Sequence, residues 1–439
     1  MQFRGRADMP LFDPVYTGIV IVCLMGAVLG LCGYLTLSER KLSAWMQDRI
    51  GPNRVGPKGL FQPMADGGKF FLKEEVIPDH VDRIFYLLAP AVAVGTALMT
   101  LAVVPFGATT PPPPPVAVQS KSELVNTTIA TRDEAAVAAF EQQQRQYQSH
   151  FNFQLNPGLS IGVLYIFALG SLAVYGVILA GWSANNKYSL LGSLRASAQI
   201  ISYEIPLGLS VLGVFLIVGS LNPESIIAWQ TGQGASAGGY WTILIQPLAL
   251  VLFMTSTYAE ANRLPFDLSE AEQELVGGYH TEYSSLKLGL MLLAEYIHLV
   301  SSSFILATLF LGGWSFFGLE SLIENPIASA IVKLLVLSGK MVLLCVFAQL
   351  VRWTIPRFRF DQLMNLAWKV LLPLALINII CVMVVKELHW PLGLLTITSI
   401  LSIVGAGLLS VRWHGSVTSP KRRVAKMPPG IPKGATYAS

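Results

Sequence analysis

The chain has 439 residues, 53% of them hydrophobic and 13% charged. Soluble domains carry about 25% charged residues, so the composition excludes an ordinary soluble domain and points to a membrane protein. The net charge is only +4, and the basic residues are spread over loops rather than gathered in one patch, so no nucleic-acid partner is expected.

The four cysteines, Cys23, Cys32, Cys345 and Cys381, sit inside apolar runs without metal-ligand spacing. No disulfide framework, metal site or iron–sulfur cluster is therefore expected in this chain. A spanning helix needs roughly 20 apolar residues. Nine stretches qualify: 15–37, 84–106, 158–181, 202–220, 241–259, 286–311, 331–351, 368–385 and 391–411. The first lacks a small-residue cleavage site and exceeds the about 7–15 residues of a signal-peptide core. The fold class expected is an all-α polytopic membrane protein of about nine transmembrane helices. Span 202–220 contains Glu204 and Pro206, and span 286–311 contains Lys287, Glu295 and His298. These two should face protein or water rather than lipid.

Connections on one side of the bundle carry 20 Lys and Arg, those on the other side 6. The bias places the richer side in the cytoplasm, with the N-terminus outside and the C-terminus inside. The layout is then an external segment 1–14, a membrane domain 15–385 of eight spans, an extra span within 386–411 and a basic tail 412–439.

The loops differ in kind. Residues 38–78 interleave Arg40, Lys41, Arg49, Arg54 and Lys58 with Gly51-Pro52 and Gly56-Pro57, which force a bent, stiff path. Leu60, Phe61, Met64, Phe71 and Leu72 follow near helical spacing, predicting an interfacial amphipathic helix. It reads either as a gate for a lipid-soluble molecule or as a plain surface anchor. In 107–157, five prolines at 111–115 favour a polyproline rod ahead of an Ala-, Glu- and Gln-rich stretch. That insertion reads equally as a contact for a neighbouring subunit or as decoration.

The densest chemistry lies in Ala259–Tyr283, with Glu260, Asp267, Glu270, Glu272, Glu274 and Glu282 against Arg263 as the one fixed positive charge. Glu204 and Glu295 add acids at membrane depth. Such groups require water, cations or each other to be stable beside hydrocarbon, and clustered acids raise one another's proton affinity. They suit a proton relay, or an ion-pair network that only holds helices together. His280 and His298 read as hydrogen-bonded structural residues. There is no phosphate loop, dinucleotide fingerprint or nucleophile motif. An independent ion-translocating transporter would favour a second copy of the acidic loop, which is missing. A purely structural anchor leaves Glu204 and Glu295 unaccounted for.

Four stretches carry a family resemblance: Glu39–Pro78 with GPNRVGPKGLFQPMADG, Asn185–Leu209, Ala259–Tyr296, and Arg352–Pro373 with RWTIPRFRFDQLMNLAWKVLLP. With the spans between them, the chain resembles the chamber-forming membrane subunit of respiratory NADH:quinone oxidoreductase (complex I), the bacterial counterpart of mitochondrial subunit 1. The resemblance implies a subunit without independent activity, set in a bacterial inner membrane and surrounded by lipid. Quinone is the implied substrate. NADH, FMN and iron–sulfur clusters are implied on partner subunits, among them the hydrophilic ones carrying the terminal cluster and quinone pocket, beside small membrane subunits. Glu39, Arg40, Lys41, Arg49, Arg54, Phe61 and Asp66 are implied as chamber and docking residues. Glu204, Glu260, Asp267, Glu270, Glu272, Glu274, Glu282 and Glu295 are implied as a proton-coupling path, with Arg263 and Arg352 as its cationic partners. Arg357, Arg359 and Asp361 would shape the docking face. The membrane subunit of energy-conserving hydrogenases is the nearest related alternative. Departures from the pattern are the ninth span, the long 107–157 insertion, and Phe360 where a tyrosine is expected.

Overall fold

The computed structural model describes residues 14–106, 159, 161–232, 239–267, 276–316 and 326–416. Insertion 107–157 and the acids Glu270, Glu272 and Glu274 lie outside the described residues. The α-helices, in chain order, are α1 (Pro14–Met46), α2 (Gln62–Leu72), α3 (Arg83–Thr100), α4 (Gly162–Ser183), α5 (Lys187–Val218), α6 (Pro223–Thr231), α7 (Thr242–Ile245), α8 (Pro247–Glu260), α9 (Ser285–Phe310), α10 (Pro326–Thr354), α11 (Phe360–Leu366), α12 (Leu372–Glu387) and α13 (Gly393–Ser416). No strand occurs among the described residues.

Seven helical runs are long and apolar enough to cross a membrane: α1, α3, α4, α5, α9, α10 and the continuous Phe360–Glu387. The other two expected spans are also helical but shorter. The fifth is broken at Gln246 between α7 and α8, where Pro247 opens the second piece. The ninth has its apolar part in Gly393–Leu408. The chain is thus an all-α, multi-pass membrane protein.

Residues 182–201, expected as a connection, are mostly the first half of α5. Asn186 caps the helix, accepting from the Tyr188 amide at 3.0 Å. Ser193 and Ser197 return their hydroxyls to the Leu190 and Leu194 carbonyls. Serines that bond within their own helix need no water, so a polar stretch can continue a span.

Proline inside α3 shows how a lost bond is replaced. Pro90 has no amide hydrogen and leaves the Tyr86 carbonyl one turn earlier without its helical donor. The Tyr283 hydroxyl donates to that carbonyl at 3.2 Å, and its ring stacks on Tyr86 at 4.3 Å. In a membrane such replacement is obligatory.

Helix α2 is the amphipathic surface helix. Met64, Phe71 and Leu72 are strongly exposed. The helix is seated on two glycines: a Cβ on Gly33 of α1 would lie 3.3 Å from Pro63, and one on Gly289 of α9 3.2 Å from Phe70. Ser285 donates to the Phe70 and Lys73 carbonyls, and Lys287 pairs with Glu75 at 2.7 Å.

The main apolar core draws Cys32 and Leu35 of α1, Tyr203 of α5, Leu252 of α8, Phe304 of α9 and Met341 of α10 into one cluster. Lipid is as apolar as leucine, so close packing rather than water exclusion holds helices together, and small residues permit it. Gly176 lies against Ala89 and Ala93 of α3, and Gly181 against Ser189 and Ser193 of α5. Gly192 meets backbone on every side that its Cβ would touch, that Cβ standing 2.7 Å from the Gly278 Cα.

Gly192→Ala is expected to cost about 1–3 kcal/mol, because backbone cannot rotate away from the new methyl. Gly208→Ala, with nothing within 4 Å of its Cβ, should be neutral or slightly stabilising. Thermal melting of fluorescently tagged protein in detergent, followed by size-exclusion, compares the two. Equal melting temperatures would refute the packing argument.

Candidate functional site

Two polar clusters lie inside the bundle, and α9 runs between them. Glu295 and Tyr296 are neighbours on this helix, so their side chains point about 100° apart. Each serves a different cluster.

The first cluster is built on Glu39, which α1 carries into a nearly buried position. Arg352 of α10 donates to Glu39 Oε1. Arg263 approaches Oε2 at 3.6 Å, and the Tyr296 hydroxyl donates to Oε2 at 2.8 Å. The Arg263 guanidinium lies over the Tyr296 ring at 3.9 Å, a cation–π contact. Burial opposes the charge on Arg263, but Tyr296, Glu295 and Glu39 outweigh it and hold its proton affinity above the usual value. Arg263 and Arg352 therefore converge on Glu39, and neither forms an ion pair with an acid of the 259–283 stretch among the described residues. Sequence distance hides this, because Glu39 lies more than 200 positions from either arginine.

Arg263 is placed by Gln199 of α5. Its amide nitrogen donates to the carbonyls of Ala259 and Phe266, both at 2.9 Å. The Phe266 ring stacks on Phe358 at 5.6 Å. Just beyond, Arg357 donates to Asp267 Oδ2 at 3.3 Å.

The second cluster surrounds two small cavities between α3, α4, α5, α8 and α9. One, of about 50 Å³, is lined by Gly170, Glu260, Tyr279, Glu295 and His298, among others. The other, of about 30 Å³, is lined by Thr100, Gly170, Thr257, Glu260, His298, Ser301 and Ser302, with apolar neighbours. A site needs roughly 10–15 Å³ and polar partners to hold a water, so both have room for water. Tyr279 donates to Glu295 at 3.0 Å, and Ser171 donates to Glu204. Gly170 makes space for Glu260: a Cβ there would stand 3.0 Å from Glu260 Oε1. Tyr279, Tyr296, Ser171 and Gln199 are not recognisable from sequence, because nothing in their spacing marks them. His298, expected to be a bonded structural residue, has an imidazole without a protein hydrogen bond among the described residues.

Glu282 stands apart from both clusters. It accepts from Asn186 at 2.7 Å and faces His80 at 3.9 Å. In the 38–78 loop, Arg40 pairs with Asp66 at 2.6 Å, and Gln62 donates to the other Asp66 oxygen. Lys41 donates to the Lys58 carbonyl. Gly56 leaves room for the Phe61 ring, and Gly59, at φ +79°, sits against the Pro52 carbonyl. Arg49, Arg54 and Phe61 are exposed at this surface. Phe360 receives the Arg195 guanidinium 5.2 Å above its ring.

The family model for NADH dehydrogenase matches residues 19–383. A NADH-quinone oxidoreductase subunit from Cytophaga hutchinsonii is 43% identical over 362 residues, covering 82% of this chain and 94% of its own length. NADH-quinone oxidoreductase subunit 8 of Rhodothermus marinus is 41% identical over 385 residues, 85% of this chain and 97% of its own. The corresponding protein of Thermomicrobium roseum is 43% identical over 359 residues, 81% of this chain and 92% of its own. The match takes in the seven long helical runs, the broken fifth crossing and every side chain named in both clusters, so the chain belongs to the NADH dehydrogenase family and is a membrane subunit of NADH-quinone oxidoreductase.

Proposed function

We propose that this chain walls the quinone chamber of a proton-pumping NADH:quinone oxidoreductase and forms the first section of its proton-coupling path. The observation that carries the reading is the juxtaposition of two acid clusters on either side of α9. One is charge-matched at Glu39, and the other opens on water-sized cavities at Glu260 and Glu295. Arg40, Lys41, Arg49, Arg54, Phe61 and Asp66 form the docking surface and mouth. Helix α2 lies in the membrane surface with Met64, Phe71 and Leu72 toward lipid, where an isoprenoid quinone enters.

Quinone is substrate, not resident cofactor. Electrons arrive from iron–sulfur clusters on hydrophilic partner subunits, which also hold FMN and meet NADH. The basic loops face the cytoplasm of a bacterial inner membrane, with the N-terminus outside. Glu204, Glu260, Glu295, Asp267 and Glu282 lead from the chamber toward other membrane subunits, with Glu270, Glu272 and Glu274 between the last two in sequence. The relatives carry names of quinone-oxidoreductase subunits, which favours this enzyme over the membrane subunit of a hydrogenase or a free-standing ion transporter.

Glu260→Gln tests the relay. Proton-coupled quinone reduction in membrane vesicles is expected to fall roughly tenfold, about 1.4 kcal/mol on the barrier. Oxidation of NADH by an artificial upstream acceptor should stay unchanged. Full coupled activity in this variant would remove the relay role.

Arg49→Ala tests the docking surface. It is expected to depress activity with quinone more than activity with the artificial acceptor. Equal losses in both assays would point to misassembly of the complex instead.

A further inference from the structure

The two cavities beside α9 share a wall made of Gly170, Glu260, Ala261 and His298. Glu260 already has a place in the proposed relay, whereas His298 has none. Its imidazole makes no hydrogen bond to protein among the described residues. Only its backbone is engaged, the carbonyl accepting from Ser302 Oγ at 2.7 Å. A neutral imidazole carries one donor and one acceptor nitrogen. No described protein group bonds the ring, which lines both cavities, so water in those cavities is what can serve its nitrogens. A ring so placed can accept a proton at one nitrogen and release its own from the other, with no electron moved.

We propose that His298 is a proton-carrying residue that joins the Glu260–Glu295 cavity to the cavity lined by Thr100, Ser301 and Ser302. The proposal rests on the relay under "Proposed function" and adds a member to it. The groups that face this position are Glu260 from α8, Glu295 from its own helix and Tyr279 from the 276–283 turn. Helix α3 presents the Thr100 hydroxyl, itself bonded to Ser301 at 2.9 Å. Helices α4 and α5 present apolar side chains and Gly170, with Glu204 of α5 within electrostatic reach of Glu260. No arginine or lysine lines either cavity among the described residues, but Arg263 lies within electrostatic reach of Glu295, so a proton on the ring is balanced by Glu260 and by a Glu295 shared with Arg263.

The test uses the whole enzyme complex in membrane vesicles, with His298→Asn as the main variant and His298→Gln as the second. Both keep polarity and remove the titrating ring. The upstream NADH:artificial-acceptor rate reports assembly, and should hold in both variants because no protein bond is lost. Coupled quinone reduction is expected to fall roughly tenfold, less than the ~10²–10⁴ of a residue acting in a chemical step, because water keeps a slower route. The pH profile of that rate should change shape, which a mere packing role would not cause.

An unchanged rate, pumping yield and pH profile in His298→Asn, beside a loss in Glu260→Gln, would overturn the proposal and leave the relay standing. Unchanged behaviour in both would bring down the relay and this proposal together. Failure of both His298 variants to assemble would make the ring a packing element, which also overturns the proposal.

Discussion

A carboxylate inside a membrane bundle has to be matched by opposite charge or kept wet, since a bare one costs several kcal/mol. Glu39 is the matched case, held between Arg263, Arg352 and the Tyr296 hydroxyl. Glu260 is the other case, without an arginine among its cavity neighbours and facing room for water beside Gly170. The remaining architecture supplies what these two solutions require. Four separate segments must meet at Glu39, and five helices must leave space around Glu260 without admitting lipid.

Breaking a buried pair from one side is far more damaging than replacing the whole pair. The Glu39 cluster is therefore a brace between α1, α9, α10 and the 261–267 segment, whatever else it does. Gln199 sets the position of that segment through two backbone carbonyls, so Arg263 is oriented before it meets Glu39. The two acid clusters share a helix but not a face, so one is matched by arginines while the other faces cavities with room for water.

Much of this is legible from residues alone. The apolar runs locate every crossing, and the spacing of Phe61, Met64, Phe71 and Leu72 discloses the surface helix. The long motifs around Gly51-Pro52 and Ala259–Tyr283 mark where the chemistry gathers. Partnerships are not legible. Arg263 and Arg352, implied by the resemblance as partners of the acidic path, both reach the distant Glu39, and Glu295 also acts on Arg263. Residues 182–201 look like a loop because serines are polar, although a serine bonded within its own helix is compatible with a span. His298 looks bonded because buried histidines usually are, yet no described protein group bonds its ring, which lines both cavities.

The proline inside α3 has a consequence for how that helix is tied to the acidic stretch. The Tyr86 carbonyl left open by Pro90 is completed by Tyr283, at the far end of the acidic stretch, while the Tyr86 hydroxyl donates to the Glu282 backbone. The two hydroxyls thus cross between the segments, Tyr283 donating to Tyr86 and Tyr86 to Glu282, one bond in each direction. A shift of the acidic stretch would thus remove or restore the donor for a carbonyl inside a spanning helix. Two bonds and a ring stack thereby tie the proline-opened turn of α3 to the end of the acidic stretch.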